Sequence, residues 1–405
     1  MHPGAHSGVE LPAPTRAAAL ARIAAIDPDR YARTRNHLHG AVSGLSPYLT
    51  HGLVSLPEVL AGVRARHAIG DQHKFVFELG WRAYFRHVWS HRADGIFTSL
   101  HPGPLPDEAY ACALPPDLAA GRTGVPAIDR AVHALLTTGT LHNHARMWLA
   151  SYTVHLRKVH WRTGADWMVA HLLDGDLASN HLSWQWVAGT ASHKPYLFNA
   201  DNVARFAPAD WHSPGSVLDA GYEAMERRAR TRATFDGLDG HDGRDGHDPG
   251  CCDRNAERVE EPALYDAPPA WLAAVPPDPA DVRGCDAWLV HPWALGDVPS
   301  DLPAGTRVLG VCVSEFHRAW PWSARRWSFV GARMAALAPV RWSGPVDAIA
   351  AALATARSVQ TLDDPHLSPW LRQWARVRAA PALFPEVDRR CDSFSKWWSI
   401  VRGPA

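Results

Sequence analysis

The sequence predicts a mainly α chain, a large helical domain followed by a linker and a small α/β domain at the C-terminus. Three observations predict it. Up to about residue 212 the apolar residues recur at helical spacing, with no alternating strand pattern. Residues 236–262 are rich in Gly, Asp and His and nearly free of large apolar side chains, a composition that cannot order itself by burial. Beyond them, short apolar runs at Ala287–Trp293 and Arg307–Val313 alternate with helical patterns at Ser323–Leu337 and Val346–Ala356, the signature of a parallel β-α-β unit. The chain therefore divides into an N-terminal extension and helix (1–29), a helical domain (30–230), a linker (231–262) and a small α/β domain (263–405).

Composition bounds the function. The 405 residues are 46% apolar, enough for a large core, and carry zero net charge. Residues 1–230 hold 22 Lys+Arg against 19 Asp+Glu, a slight basic excess that permits DNA binding without arguing for it. Six cysteines show no C-x-x-C pair, which argues against an iron–sulfur cluster and reads as free thiols in a reducing compartment. No run of eighteen apolar residues and no signal-type h-region occurs, so a soluble, cytoplasmic monomer without membrane contact is expected. No Gly-x-Gly-x-x-Gly is present to support a Rossmann-type nucleotide site.

In chain order, Thr15 is placed to cap a helix running to Ile26. Tyr31–Leu53 mixes small residues, hydroxyls and cations: either a capped turn or a cradle in which Ser43, Ser46 and nearby backbone N–H groups take a phosphate, with Arg33 or Arg35 adding charge. Phe75–Trp89 has helical spacing, with Glu78 and Arg82 at i, i+4 on one face as a candidate ion pair. Pro126 and Asp129 suit a helix start, and Asn143, Arg146 and Met147 share one face of the helix that follows. His142 and His144 point to different faces at i, i+2, so no metal site is expected there. The densest polar cluster is Asp174-Gly-Asp-Leu-Ala-Ser-Asn-His-Leu-Ser-Trp-Gln-Trp186, where two carboxylates, two amides and two indoles follow an apolar run and must be held by something specific.

The order of these residues resembles the flavin-binding segment of the DNA photolyase/cryptochrome family. The likeness runs in order over roughly residues 30–212, through Leu45-Ser-Pro-Tyr-Leu49, Glu78-x-x-Trp-Arg-x-x-x-Arg-His87, His142-Asn-x-x-Arg-Met147, Asp174–Trp186 and Gly189-Thr190. It implies a helical FAD-binding domain and, as function, light-driven repair of pyrimidine dimers in DNA by electron transfer from reduced FAD. The alternative is a cryptochrome-like photoreceptor using the same FAD for signalling. A degenerate, flavin-free binding module is the third reading, against which the intact Asp-Gly-Asp region speaks.

The resemblance also implies roles. Ser43, Ser46, Arg82, Asn143, Arg146, Asp174, Asp176 and Asn180 would bind the cofactor, with Arg146 paired to Asp174, Asp176 accepting from a flavin N–H and Asn180 beside the ring. Glu78, Trp81 and Met147 would line the pocket for a flipped pyrimidine pair. Trp184 and Trp161 would begin the tryptophan chain that feeds electrons to the flavin. No Trp occupies the matching place of the third member, which leaves Tyr110, Trp148 or Trp167. Asn180 is the choice typical of photolyases and favours repair. Photolyases normally carry an α/β antenna domain before the helical one; here the C-terminal unit vaguely resembles it, and is either an antenna-like domain at the other end or an unrelated appendage. The antenna chromophore is left open.

Overall fold

The computed structural model describes residues 11–192, 194–235 and 259–402. Most of the expected linker, with Cys251 and Cys252, lies outside them, but its last residues do not behave as a linker. Glu261 accepts hydrogen bonds from Trp167 Nε1 (2.8 Å) and pairs with His171 (3.1 Å), which anchors the chain before the C-terminal domain begins.

The first half is helical, as its periodicity dictates. The longest helix, Lys74–Arg92, buries Phe75, Val76, Leu79, Tyr84 and Val88 and leaves Glu78, Trp81 and Arg82 half-buried. Helices Pro126–Thr138, Asn143–Ser151, Trp161–His171 and Leu177–Ala188 follow. A single π-turn, Tyr152–Leu156, extends the second of these. Leu177–Ala188 ends on Gly189 at φ +81, where the turn needs a residue free of a Cβ.

Among the described residues the second half contains seven strands: β1 (Leu264–Tyr265), β2 (Asp286–Val290), β3 (Arg307–Val313), β4 (Trp322–Ser323), β5 (Val340–Gly344), β6 (Ser358–Leu362) and β7 (Arg376–Arg378). β1 and β4 form a short antiparallel pair, and the other five form a parallel sheet of order β5-β3-β2-β6-β7. Helices Ala324–Leu337 and Val346–Leu353 connect its strands. The strand order reverses between β2 and β6. The crevice beyond the carboxyl ends at such a point is where open α/β sheets place their ligands. Here it is filled by protein: Trp293, after β2, stacks on His366, after β6, at 4.3 Å and 10°.

The α/β part is not a free appendage. One apolar core runs from Val59, Leu79 and Leu177 of the helical part into Trp293, Trp322 and Phe329. A second core, around Leu135, Trp148 and Phe198, is confined to the helical part. Arg326 crosses the seam, donating to the carbonyls of Val169 (3.1 Å) and Gly175 (2.5 Å) with its guanidinium over the Trp322 ring. Among the described residues no helix is long and apolar enough to cross a membrane.

Candidate functional site

The site is organised by the start of helix Leu177–Ala188. Asp176 is its N-cap, accepting from Ser179 N–H at 2.8 Å, which satisfies one of the helix's orphan donors. The other oxygen of this buried carboxylate accepts from Arg86 Nη2 at 2.5 Å. Burial alone would raise the Asp176 carboxyl, but Arg86 above all, then His366 and Arg82, hold it well below the usual carboxylate range.

Asp174, also buried, meets Arg146: Nη2 lies 2.9 Å from both carboxylate oxygens, while Nε donates to Leu141 O. Thr50 donates to the backbone carbonyl of Asp174 (3.2 Å) and accepts from Arg82 Nη1 (3.1 Å). Arg82 is therefore within electrostatic reach of both carboxylates, yet among the described residues it forms no ion pair. Burial depresses its pKa, and a guanidinium held this way is matched by an incoming anion.

Glu78 does not pair with Arg82, contrary to the i, i+4 expectation. It takes Lys74 (2.9 Å) and Arg35 (3.3 Å) instead, which frees Arg82 to turn toward Thr50. Trp81 lies against Phe394 of the C-terminal helix Phe394–Val401, stacked at 4.1 Å and 12°. Asn143 is exposed at the first position of its helix, one turn before Arg146, and Met147 packs half-buried against the helical core. Ser43 accepts from Leu45 N–H (3.4 Å), and Ser46 opens a helix of only five residues. No described hydrogen bond or ion pair joins either serine to the Asp174–Asp176 cluster; Thr50, at the end of that short helix, makes the connection instead.

Asn180 is buried and donates to Ala165 O at 2.9 Å. Trp184 is buried against Gly164, where a Cβ would come within 2.4 Å of the indole. Trp161 is buried, bonds Ser99 through Nε1 (2.9 Å) and meets His181 edge-on at 6.4 Å. Of the three aromatics considered beyond it, Tyr110 lies against His160 (6.3 Å), whose ring is 5.7 Å from Trp161. Trp148 is core, bonded to Asn202, and Trp167 is tied to Glu261. Sequence reasoning missed Trp320, which reaches the same cluster from the C-terminal part, 5.4 Å from His181. It also missed Thr50, Arg86, Asp364 and His366, because their contacts are made only in three dimensions.

Residues 75–210 match the family described as the FAD binding domain of DNA photolyase. The helical part of the chain belongs to the photolyase/cryptochrome family. A deoxyribodipyrimidine photo-lyase of Streptomyces griseus is 37% identical over 157 residues, 38% of this chain and 33% of that protein. One from Thermus thermophilus is 36% identical over 192 residues, 45% and 44%. A cryptochrome DASH of Oryza sativa subsp. japonica is 34% identical over 169 residues, 40% and 29%. The chain thus spans less than half the length of these relatives. A solved cryptochrome structure from Synechocystis covers 47% of this chain and 43% of its own at 27% identity and a TM-score of 0.42.

The residues fit a flavin dinucleotide on chemical grounds. A pyrophosphate offers the anion that Arg82 lacks, and a flavin offers ring N–H donors to the Asp174–Asp176 region, whose carboxylates are each held by an arginine.

Proposed function

We propose that this protein binds FAD in the cleft bordered by Arg82, Asn143, Arg146, Asp174, Asp176 and Asn180 and repairs pyrimidine dimers in DNA under light. The observation that carries the reading is Arg82, a half-buried guanidinium within electrostatic reach of two carboxylates whose one hydrogen bond among the described residues goes to the Thr50 hydroxyl. When bound, reduced FAD supplies the light-driven electron that splits a cyclobutane dimer. The chain's own residues hold and isolate it. Arg86 keeps Asp176 ionised as an acceptor, Arg146 holds Asp174 in place, and Asn180, fixed through Ala165 O, presents its amide oxygen from a rigid helix. Trp184 and Trp161 stand on the buried side as the route for re-reduction, with Tyr110 as its outward continuation. Ser43 and Ser46 are assigned to the phosphates by motif resemblance.

The substrate is damaged DNA, with the dimer flipped from the duplex toward Glu78, Trp81 and Met147. Glu78 is engaged by Lys74 and Arg35 in the free protein, so contact with a pyrimidine requires it to exchange one of those partners. Repair of an ultraviolet-treated oligonucleotide by the reduced protein, counted as restored pyrimidines, tests the proposal. Turnover is expected in blue light and none in the dark. Glu78→Ala is expected to slow repair by roughly tenfold or more, the scale of one lost hydrogen bond to a charged group.

One observation favours a second reading, a photoreceptor of cryptochrome type. Phe394 already occupies one face of Trp81, so a base stacking there must use the other face or displace the C-terminal helix. Absence of repair alongside normal photoreduction would transfer the assignment to that reading.

A further inference from the structure

The Asp176 carboxylate is held from a part of the chain that the helical domain does not contain. After β6, Asp364 accepts at Oδ1 from the backbone N–H of His366 (3.1 Å) and from its Nδ1–H (2.6 Å), while Oδ2 accepts from Arg86 Nη1 (3.1 Å). Arg86 uses its other terminal nitrogen on Asp176. The buried carboxylate of Asp176 and the half-buried one of Asp364 thus share one guanidinium, and Asp364 sets the direction in which that guanidinium points at Asp176. The His366 ring is clamped between Trp293 (4.3 Å, stacked) and Trp89 (4.9 Å, edge-on).

Because Nδ1–H is spent on Asp364, Nε2 of the neutral ring is an acceptor, and it takes the N–H of Leu177 at 3.3 Å. Asp176 and His366 therefore divide between them the first free donors of helix Leu177–Ala188, which carries Asn180 and Trp184.

We infer that Asp364 and His366 are positioning residues for the cofactor cleft: the C-terminal α/β domain, through Arg86 and the Leu177 N–H, fixes the carboxylate of Asp176 and the first turn of the helix that bears Asn180. The inference rests on the reading that Asp176 borders the flavin. It assigns the switch point of the parallel sheet a task other than ligand binding, namely to complete a site on the neighbouring domain.

The test uses the full chain as Asp364→Ala, His366→Ala and His366→Gln. FAD affinity by equilibrium dialysis and the shape of the bound flavin's visible absorption are read for each. About tenfold weaker binding and altered band structure are expected for both alanine variants. The glutamine variant, whose Oε1 can accept the Leu177 N–H, is expected to recover most of both. A double-mutant cycle between Asp176→Asn and Asp364→Ala, read by urea unfolding of FAD-free protein, is expected to be non-additive because the two share Arg86.

If the parent binds FAD and the two alanine variants match it in affinity and spectrum, the inference is overturned. Additive unfolding effects overturn it as well. If Asp364→Ala does not fold, the two His366 variants decide: equal loss in both removes the role of the Leu177 contact and contradicts the inference. A parent that binds no FAD defeats the flavin reading, and the unfolding cycle still tests the coupling.

Discussion

At the scale of single residues, the cleft is a problem of buried charge. Asp174 and Asp176 lie two residues apart in sequence and inside the protein, where an unpaired carboxylate is costly. Arg146 and Arg86 resolve this, one from each of two helices, and Arg82 adds a charge that no carboxylate of the described chain takes up. Trp184 belongs to this scale too. Its indole is buried beside Gly164, so Trp184→Phe preserves most of the packing while replacing an oxidisable ring with one that is far harder to oxidise. The variant should keep FAD at parental occupancy and lose blue-light reduction of it, followed as bleaching of the flavin absorption under anaerobic illumination with a thiol donor. Photoreduction at the parental rate would mean that electrons enter elsewhere, for instance by way of Trp320.

At the scale of elements, helices Trp161–His171 and Leu177–Ala188 approach closely because Gly164 carries no side chain. A Cβ there would stand 2.4 Å from two atoms of the Trp184 ring, so after Gly164→Ala the buried ring or the helices beside it must give way. Overpacking of this kind costs about 1–3 kcal/mol. The urea midpoint should fall accordingly, and Trp184 should shift in fluorescence; an unchanged midpoint would show that the helices slide apart freely. Much of this element structure is legible in the sequence, because 3.6-residue periodicity, Asp and Thr caps and terminal glycines are local signals. The β-α-β alternation likewise marks the C-terminal part as a parallel sheet, although β5, β6, β7 and the helix Phe394–Val401 carry weaker patterns and were not read.

The site is legible only where its residues are close in sequence or carried by a motif. Asp174 and Arg146, 28 residues apart, stand in two such motifs and are in contact. Arg86 and Leu177 stand in motifs as well, but their partners Asp364, 278 residues away, and His366, 189 away, stand in none. Of the two cations four residues from Glu78, the one before it, Lys74, takes the carboxylate rather than Arg82, and Arg35, brought in by the fold, adds a second partner.

At the scale of the whole molecule, the two halves share one core and a set of buried neutral histidines. Burial depresses His155 to about 4 and His317 to about 3, and it lowers His366 as well despite the nearby Asp364 and Asp176. Groups with depressed histidine pKa values stay neutral in the fold and take up a proton on unfolding below about pH 6.5. Their contribution is therefore complete above that pH and is lost as the pH falls toward the folded values. Three such groups would lower stability by up to about 4 kcal/mol per pH unit in that window. The urea midpoint measured from pH 7.5 to 5 should drop steeply below 6.5. A flat profile would mean that these rings are already charged, or reach solvent, in the folded state.

The proposed function requires that the cleft hold a flavin. The direct measurement is equilibrium dialysis of the purified full chain and of Asp176→Ala against FAD at low concentration, with bound flavin read from its absorption. The account predicts about one FAD per parent chain. None is expected in Asp176→Ala, where Arg86 loses one of its two carboxylates, the helix its cap and a flavin donor its acceptor, each loss costing roughly 1–3 kcal/mol. A parent chain that stays colourless, or an Asp176→Ala variant that fills to the same occupancy, would contradict it.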